Sequence, residues 1–288
     1  MRYRSSIFIL LLIFLFSGSG CEKYINYVNS PEFEQKLVVT SFISPSDTLS
    51  RIFVSSNQPL YSYSEKLEDP GDIFGTISDG TIEIELDTTS SGLCFIRKNM
   101  PVIAGKTYTL KISSSKGLYA EATATVPQNR KILIKVDTVT REMYEYMQNN
   151  ELVINVELTD YPGERNYYNI IGKFTGYTSN PKSNPITENN FYFPWYWFEY
   201  IDDIKAGPDN RIKLDSWIVP SIKNCDSAFI NLYMMNTEES YYLYHTSLYE
   251  YDHSDNPFSE AKPIYSNIKG GLGIFTSYTL DSLRFRLK

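Results

Sequence analysis

Short segments of alternating apolar and polar residues fill the first half of this chain, and they confine it to sheet. In "GTIEIELD" (80–87) isoleucine and glutamate alternate, so an extended backbone sends one set to a core and the other to water. "KLVVTSFIS" (36–44), "SRIFVSS" (50–56), "GLCFIRK" (92–98), "KTYTLKIS" (106–113) and "LYAEATATV" (118–126) are equally short and rich in β-branched or aromatic residues. Gly, Pro, Asn, Asp or Ser bound them. "SSSKG" between the last two reads as a hairpin turn in which Gly117 takes positive φ. Six or seven strands in so short a stretch suit an immunoglobulin-like β-sandwich over residues 36–126, and "AGKTYTL" supplies the glycine turn that often leads into a tyrosine-bearing strand. The chain's 24 tyrosines and 15% aromatic content favour strands as well.

Val126-Pro127 is the best domain boundary. Beyond it, 127–288 reads as a β-rich second domain with one or two short helices, so the expected fold class is mainly β. Strands are expected at 131–139, 151–160, 165–177 and 227–235, with "YPGE" as the turn before the third. "REMYEYMQNN" (141–150) reads as a short helix. A second helix near 237–252 carries a capping-box pattern, with Asn236 as N-cap and Glu239 three residues on. Thr178 to Ser216 shows little periodicity.

The chain opens "MRYRSSIFILLLIFLFSGSGC": a basic start, an apolar run and small residues leading into Cys21. That order marks residues 1–20 as a signal peptide, and the apolar run is too short for the roughly 20 residues a transmembrane helix needs. Cysteine directly after Gly18-Ser19-Gly20 resembles a bacterial lipobox, in which Cys21 is acylated and becomes the first mature residue. Each buried acyl CH2 contributes about 0.8 kcal/mol to membrane binding, enough collectively to hold the protein at a bilayer. Glu22 stands where aspartate would signal inner-membrane retention, so that signal is absent. Residues 21–35 then read as a lipidated tether. Losing residues 1–20 removes two arginines and no acids, so the formal charge moves from −7 to −9. Such an acidic chain is a poor partner for nucleic acid. Cys94 and Cys225 are the other cysteines; a disulfide is permitted outside the cytoplasm, and two buried thiols are an equal alternative.

Recognised chemistries are set aside one by one. "SNIKGGLGIF" (266–275) has its lysine before the glycines and no helical pattern after them, unlike a phosphate-binding loop. Asn267, Gly270, Gly271 and Gly273 read instead as a structural motif that permits positive φ or close backbone approach. "SSSK", "SDN" and "KGG" imitate the penicillin-recognising set, but the serine falls in a hairpin turn and not at the start of a buried helix. His245 and His253 belong to no His-Glu-x-x-His motif, and Asp202, Asp203, Asp209 and Asp215 lack calcium-loop spacing. No catalytic residue, metal or cofactor is assigned, and the chain is expected not to be an enzyme. "FYFPWYWFEY" (191–200) fits neither helix nor strand period. It either covers a sheet with its rings or presents them to a ligand or partner, in which case Trp195, Tyr196, Trp197 and Phe198 lead.

"AGKTYTLKISSSKGLYAEATATVP", "YPGERNYYNI" and above all "NPFSEAKPIYSNIKGGLGIF" resemble an outer-membrane lipoprotein family of Bacteroidetes, known as a domain of unknown function, along nearly the whole mature chain. That resemblance implies a two-part, β-rich lipoprotein of the outer membrane, at the cell surface or the periplasmic face, of a kind frequently encoded beside TonB-dependent receptors and accompanying nutrient uptake as the binding partner of an unknown small ligand or peptide. It carries no catalytic residues. A structural or adhesive surface module, and a hydrolase with an unrecognised site, are the alternative functions.

Overall fold

The computed structural model describes residues 32–59, 69–88, 93–95, 100–129, 133–142, 150–180, 183–193, 200–218, 225–252 and 262–287. The fold is mainly β, as the alternation requires. Its N-terminal strands are β1 (Leu37–Ile43), β2 (Arg51–Ser56), β3 (Ile73–Ser78), β4 (Glu83–Glu85), β5 (Asp87–Thr88), β6 (Leu93–Phe95), β7 (Thr107–Ser114) and β8 (Tyr119–Thr125). There follow β9 (Leu133–Glu142), β10 (Asn150–Thr159), β11 (Tyr167–Asn180), β12 (Ser183–Phe193), β13 (Tyr200–Asp202), β14 (Arg211–Ile218) and β15 (Ser227–Thr237). The helix α1 (Glu239–Asp252) and the long strand β16 (Leu272–Arg286) close the chain.

Three sheets form. One has the order β4-β3-β7-β8, one β14-β10-β9, and the largest β12-β11-β15-β16-β1-β2-β6-β5 with β13 beside β11. β7, in which polar and apolar residues alternate, buries every second side chain, and β1, apolar at most positions, does the same while burying Ser41. Leu37, Val39, Ile52 and Val54 from β1 and β2 meet Ile77, Tyr108, Leu110, Ile112 and the alanines of β8 in one core. Tyr108 is fully buried, yet its hydroxyl stays satisfied: it donates to the Pro101 carbonyl at 3.0 Å and accepts from Ile103 N–H at 2.8 Å. A second core joins Ile154, Val156 and Leu158 of β10 to Tyr168, Ile170 and Phe174 of β11 and Ile230, Leu232 and Met234 of β15. Cys225 is buried there, whereas Cys94 lies on β6, paired with Ile52.

β16 serves both halves of the chain. Its first residues pair in parallel with β1, from Val38↔Leu272 to Ile43↔Ser277, and the rest pair antiparallel with β15. Sheet therefore runs across residue 127, and Gln35–Gln58 with Tyr63–Lys288 make one compact unit.

Several local expectations differ from what forms. β3, "IFGTIS", was not expected as a strand; it carries Gly75, where a Cβ would lie 2.7 Å from Ile112 Cδ1, so a larger residue would have to displace that side-chain end. The helix expected over 141–150 is replaced at both ends by strand, in β9 and β10, and its centre lies outside the described residues. β12, β13 and β14 occupy the stretch without clear periodicity. Asn236 is no helix cap: it pairs with Tyr168 on one side and Thr279 on the other, and the sheet holds it until α1 begins at Glu239.

Candidate functional site: a polar cleft beside Glu238

Where β8 ends, β11 begins and β15 turns into α1, the surface opens into a cleft of about 360 Å³. Thr125, Gln128, Glu164, Arg165, Tyr167, Thr237, Glu238 and Glu239 are among its lining. That volume falls in the range of small-ligand sites.

Glu238 organises the floor. Its Oε1 accepts from Thr125 N–H at 3.0 Å, and its Oε2 accepts from the Thr276 and Ser277 hydroxyls at 3.2 and 3.4 Å. Ser277 shares its one hydroxyl proton with the Thr125 carbonyl, the nearer acceptor at 2.9 Å. One carboxylate thus ties β8, the start of α1 and β16 together. Burial pushes its pKa up, while the Thr125 N–H and the surrounding hydroxyls pull it down.

The wall comes from "YPGERNYYNI". Asn166 folds this turn: its side-chain amide donates to the Tyr161 and Glu164 carbonyls at 3.1 Å each, and its N–H donates to Asp203 Oδ2 at 2.7 Å. Tyr168 donates to Asp160 at 2.6 Å beneath it. Alternation then turns Tyr167 toward the cleft, where its hydroxyl donates to Glu239 Oε1 at 2.7 Å. Burial raises the phenol's pKa further than Glu239 does, so Tyr167 remains a hydrogen-bond donor. Arg165 pairs with Asp202 at 2.5 Å and lies 5.5 Å from the Tyr167 ring centre. For Asp202, burial alone would raise the pKa; the Arg165 pair and the Ile204 N–H outweigh it and hold the carboxyl low. Asp203 is raised, first by burial and then by its neighbour Asp202.

One group in the lining has nothing to bond. Thr237 is only 4% exposed and its hydroxyl lacks a hydrogen-bond partner. A buried hydroxyl left so costs about 1–3 kcal/mol. Three carboxylates, Glu164, Glu238 and Glu239, face one guanidinium, Arg165, so the cleft favours donor-rich or cationic groups. Both oxygens of Glu238 are engaged by the fold, which leaves it unsuited to act as general acid or nucleophile.

The residues expected to matter are distributed elsewhere. Cys21, Trp195, Tyr196, Trp197, Phe198 and His253 lie outside the described residues. His245 sits on α1, stacked on Tyr200 at 4.7 Å and against Phe42 at 5.4 Å; burial lowers its pKa to about 4. Among the four aspartates weighed for calcium, Asp202 and Asp203 brace the cleft, and Asp209 pairs with Arg211 at 3.4 Å. Asp215 lies on β14, opposite Asn155.

In the glycine motif, Asn267 grips the Phe275 backbone, donating to its carbonyl at 2.7 Å and accepting from its N–H at 3.0 Å. Lys269 exchanges backbone hydrogen bonds with Glu121 of β8. A Cβ on Gly271 would stand 2.7 Å from the Leu37 carbonyl oxygen. Gly270 and Gly273 have φ of 75° and 103°. Glu238, Tyr167 and Thr237 were not anticipated; the only signal for this site was "YPGERNYYNI", read as a family motif.

A family model, described as "Domain of unknown function (DUF4249)", matches residues 24–284, and the chain belongs to that family. No curated protein matches it.

Proposed function

We propose that this DUF4249 member is a non-enzymatic outer-membrane lipoprotein, acylated at Cys21, that captures a small ligand or peptide in the Glu238 cleft for a TonB-dependent receptor. The observation that carries the binding role is the cleft itself, braced by a buried carboxylate and lined by hydrogen-bond donors and acceptors. Such a site is formed before ligand arrives, which lowers the ordering cost of binding. Among the described residues no helix is long and apolar enough to cross a membrane, and the acyl chains on Cys21 supply the anchor. The receptor follows from the resemblance to Bacteroidetes lipoproteins. The bonds of the Tyr108 hydroxyl to the backbone just upstream support an immunoglobulin-like reading of the N-terminal layers.

The test is gentle detergent extraction of the full chain with a C-terminal tag. The wild type is expected in the outer-membrane fraction, eluting with a large β-barrel protein, and Cys21→Ala in the soluble fraction. Membrane partitioning of Cys21→Ala refutes the anchor. Elution without a barrel refutes the receptor.

A further inference from the structure

We propose that the outer face of the sheet β4-β3-β7-β8 carries a carbohydrate site, separate from the Glu238 cleft, which clasps one all-equatorial pyranose ring between Phe74 and Tyr119. These two rings are 58% and 43% exposed. The register places them in one row, since Phe74 lies opposite Ser113 and Ser113 opposite Tyr119. Two aromatic walls therefore stand two strands apart, about 9.6 Å, over a floor no larger than serine. A sugar ring stacked on both sides at about 3.5–4.0 Å per face needs about 7–8 Å between the walls, so it fits that gap once the two rings lean inward.

The next row on the same face is polar throughout. Glu85 lies opposite Thr76, Thr76 opposite Lys111, and Lys111 opposite Glu121. Carboxylate, hydroxyl and ammonium groups thus flank the aromatic row, within a groove of about 340 Å³ that includes Phe74, Thr76, Glu85, Lys111, Ser113 and Tyr119. A lipid chain would leave this polar row unbonded, and two carboxylates against one ammonium oppose a phosphorylated ligand. A neutral sugar suits both rows, with C–H faces for the rings and hydroxyls for the charged groups. With walls on both sides, the ring needs two apolar faces. Only an all-equatorial, gluco-configured pyranose keeps axial C–H bonds alone on each face.

The Tyr119 wall is held in place. Its hydroxyl donates to Glu121 on its own strand. Behind it runs the glycine motif: Lys269 pairs with Glu121, and a Cβ on Gly270 would stand 2.9 Å from the Tyr119 carbonyl oxygen and 3.3 Å from its ring. The motif that identifies the family thus supports one side of the groove, and a ring fixed beforehand binds with less entropy loss.

The test is calorimetric titration of the detergent-solubilised full chain with cellohexaose, and with mannohexaose as the axial-hydroxyl control. Saturable cellohexaose binding is expected, at least about tenfold tighter than mannohexaose, with Phe74→Ala and Tyr119→Ala each weakening it by about tenfold or more. Ser113→Tyr, which fills the floor while suiting a strand, is expected to abolish binding, and Tyr167→Phe in the other cleft to leave it unchanged. Thermal unfolding of each variant checks that the fold survives. No cellohexaose binding, equal binding of mannohexaose, or undiminished binding by folded Phe74→Ala or Ser113→Tyr overturns the proposal.

Discussion

Gly273→Ala isolates the packing demand at the seam between the chain's first and last strands. Gly273 pairs with Val39 across the parallel β1–β16 ladder and has φ of 103°. An L-residue with positive φ costs about 1–2 kcal/mol. The new Cβ would also press into the Val39 carbonyl, lying 3.0 Å from its carbon and 3.1 Å from its nitrogen, with the oxygen closer still. Val39 cannot retreat freely, because it is paired on its other side with Val54 of β2. Separating β16 from β1 locally sacrifices one or two backbone hydrogen bonds, each worth about 1 kcal/mol. The total is then about 3 kcal/mol. Gly80→Ala is the control: φ is 85° there and nothing lies within 4 Å of the added atom, so only the backbone term applies. Urea unfolding followed by circular dichroism should place Gly273→Ala below Gly80→Ala by roughly 0.5–1 M in midpoint, taking an m-value of about 2–3 kcal/mol/M. Equal midpoints for the two variants would refute the close-approach argument.

Two further perturbations test the burial of charge. His245 is held near pKa 4 by burial, below its unfolded value of about 6.5, so protons bind the unfolded state first and stability falls as pH drops between those values, by up to about 3 kcal/mol. His245→Phe keeps a ring against Tyr200 and Phe42 and should flatten that pH dependence; an unchanged slope from pH 6.5 to 4 in thermal melts would exclude the histidine as its source. Glu238, raised by burial, acts in the opposite sense: its contribution is fully present below its unfolded pKa and declines as pH rises through the folded value. Glu238→Ala strips an acceptor from Thr125, Thr276 and Ser277 and should lose about 2–3 kcal/mol at neutral pH, with Glu238→Gln recovering part, both read by urea midpoints. An Ala variant as stable as wild type would show that the carboxylate braces nothing.

The strands that could be read from sequence are those with one face on a core. Residues 37–43, 107–114 and 119–125 bury alternate positions, which is the pattern the alternation announces. β3 escaped because Gly75 in the middle of the strand weakens the strand signal, although the strand packs closely there against the ends of Ile112 and Leu86. The capping pattern at Asn236 misled for another reason: the ladder from β15 to both neighbours continues through Thr237, and tertiary pairing overrides a local helix signal. The candidate site was illegible because its meaning lies in distant partners. Thr125 and Glu238 are 113 residues apart, and Tyr167 and Glu239 are 72 apart. Nothing in the local composition around Glu238 distinguishes it from a solvated acid at a helix start.

The glycine motif and Glu238 solve one problem from two sides. The parallel pairing of β1 with β16 brings strands from the two ends of the chain together, and such pairing forms only after a long loop has closed. Gly271 and Gly273 let the backbones approach closely enough to pair, while Asn267 anchors the incoming segment on Phe275. Immediately along β16, Thr276 and Ser277 hand their hydroxyls to Glu238, which also takes Thr125 at the end of β8. The same few residues of β16 therefore zip the first core and set the floor of the cleft. The preceding Lys269-Gly270 step, through Glu121 and Tyr119, props one wall of the groove on the outer sheet face. Either lining can change without touching this seam, because the glycines and Asn267 act on backbone. That division explains why the most recognisable stretch of the sequence carries no chemistry of its own: its residues fix where the two surfaces stand, and the residues that would meet a ligand lie on strands it holds in place.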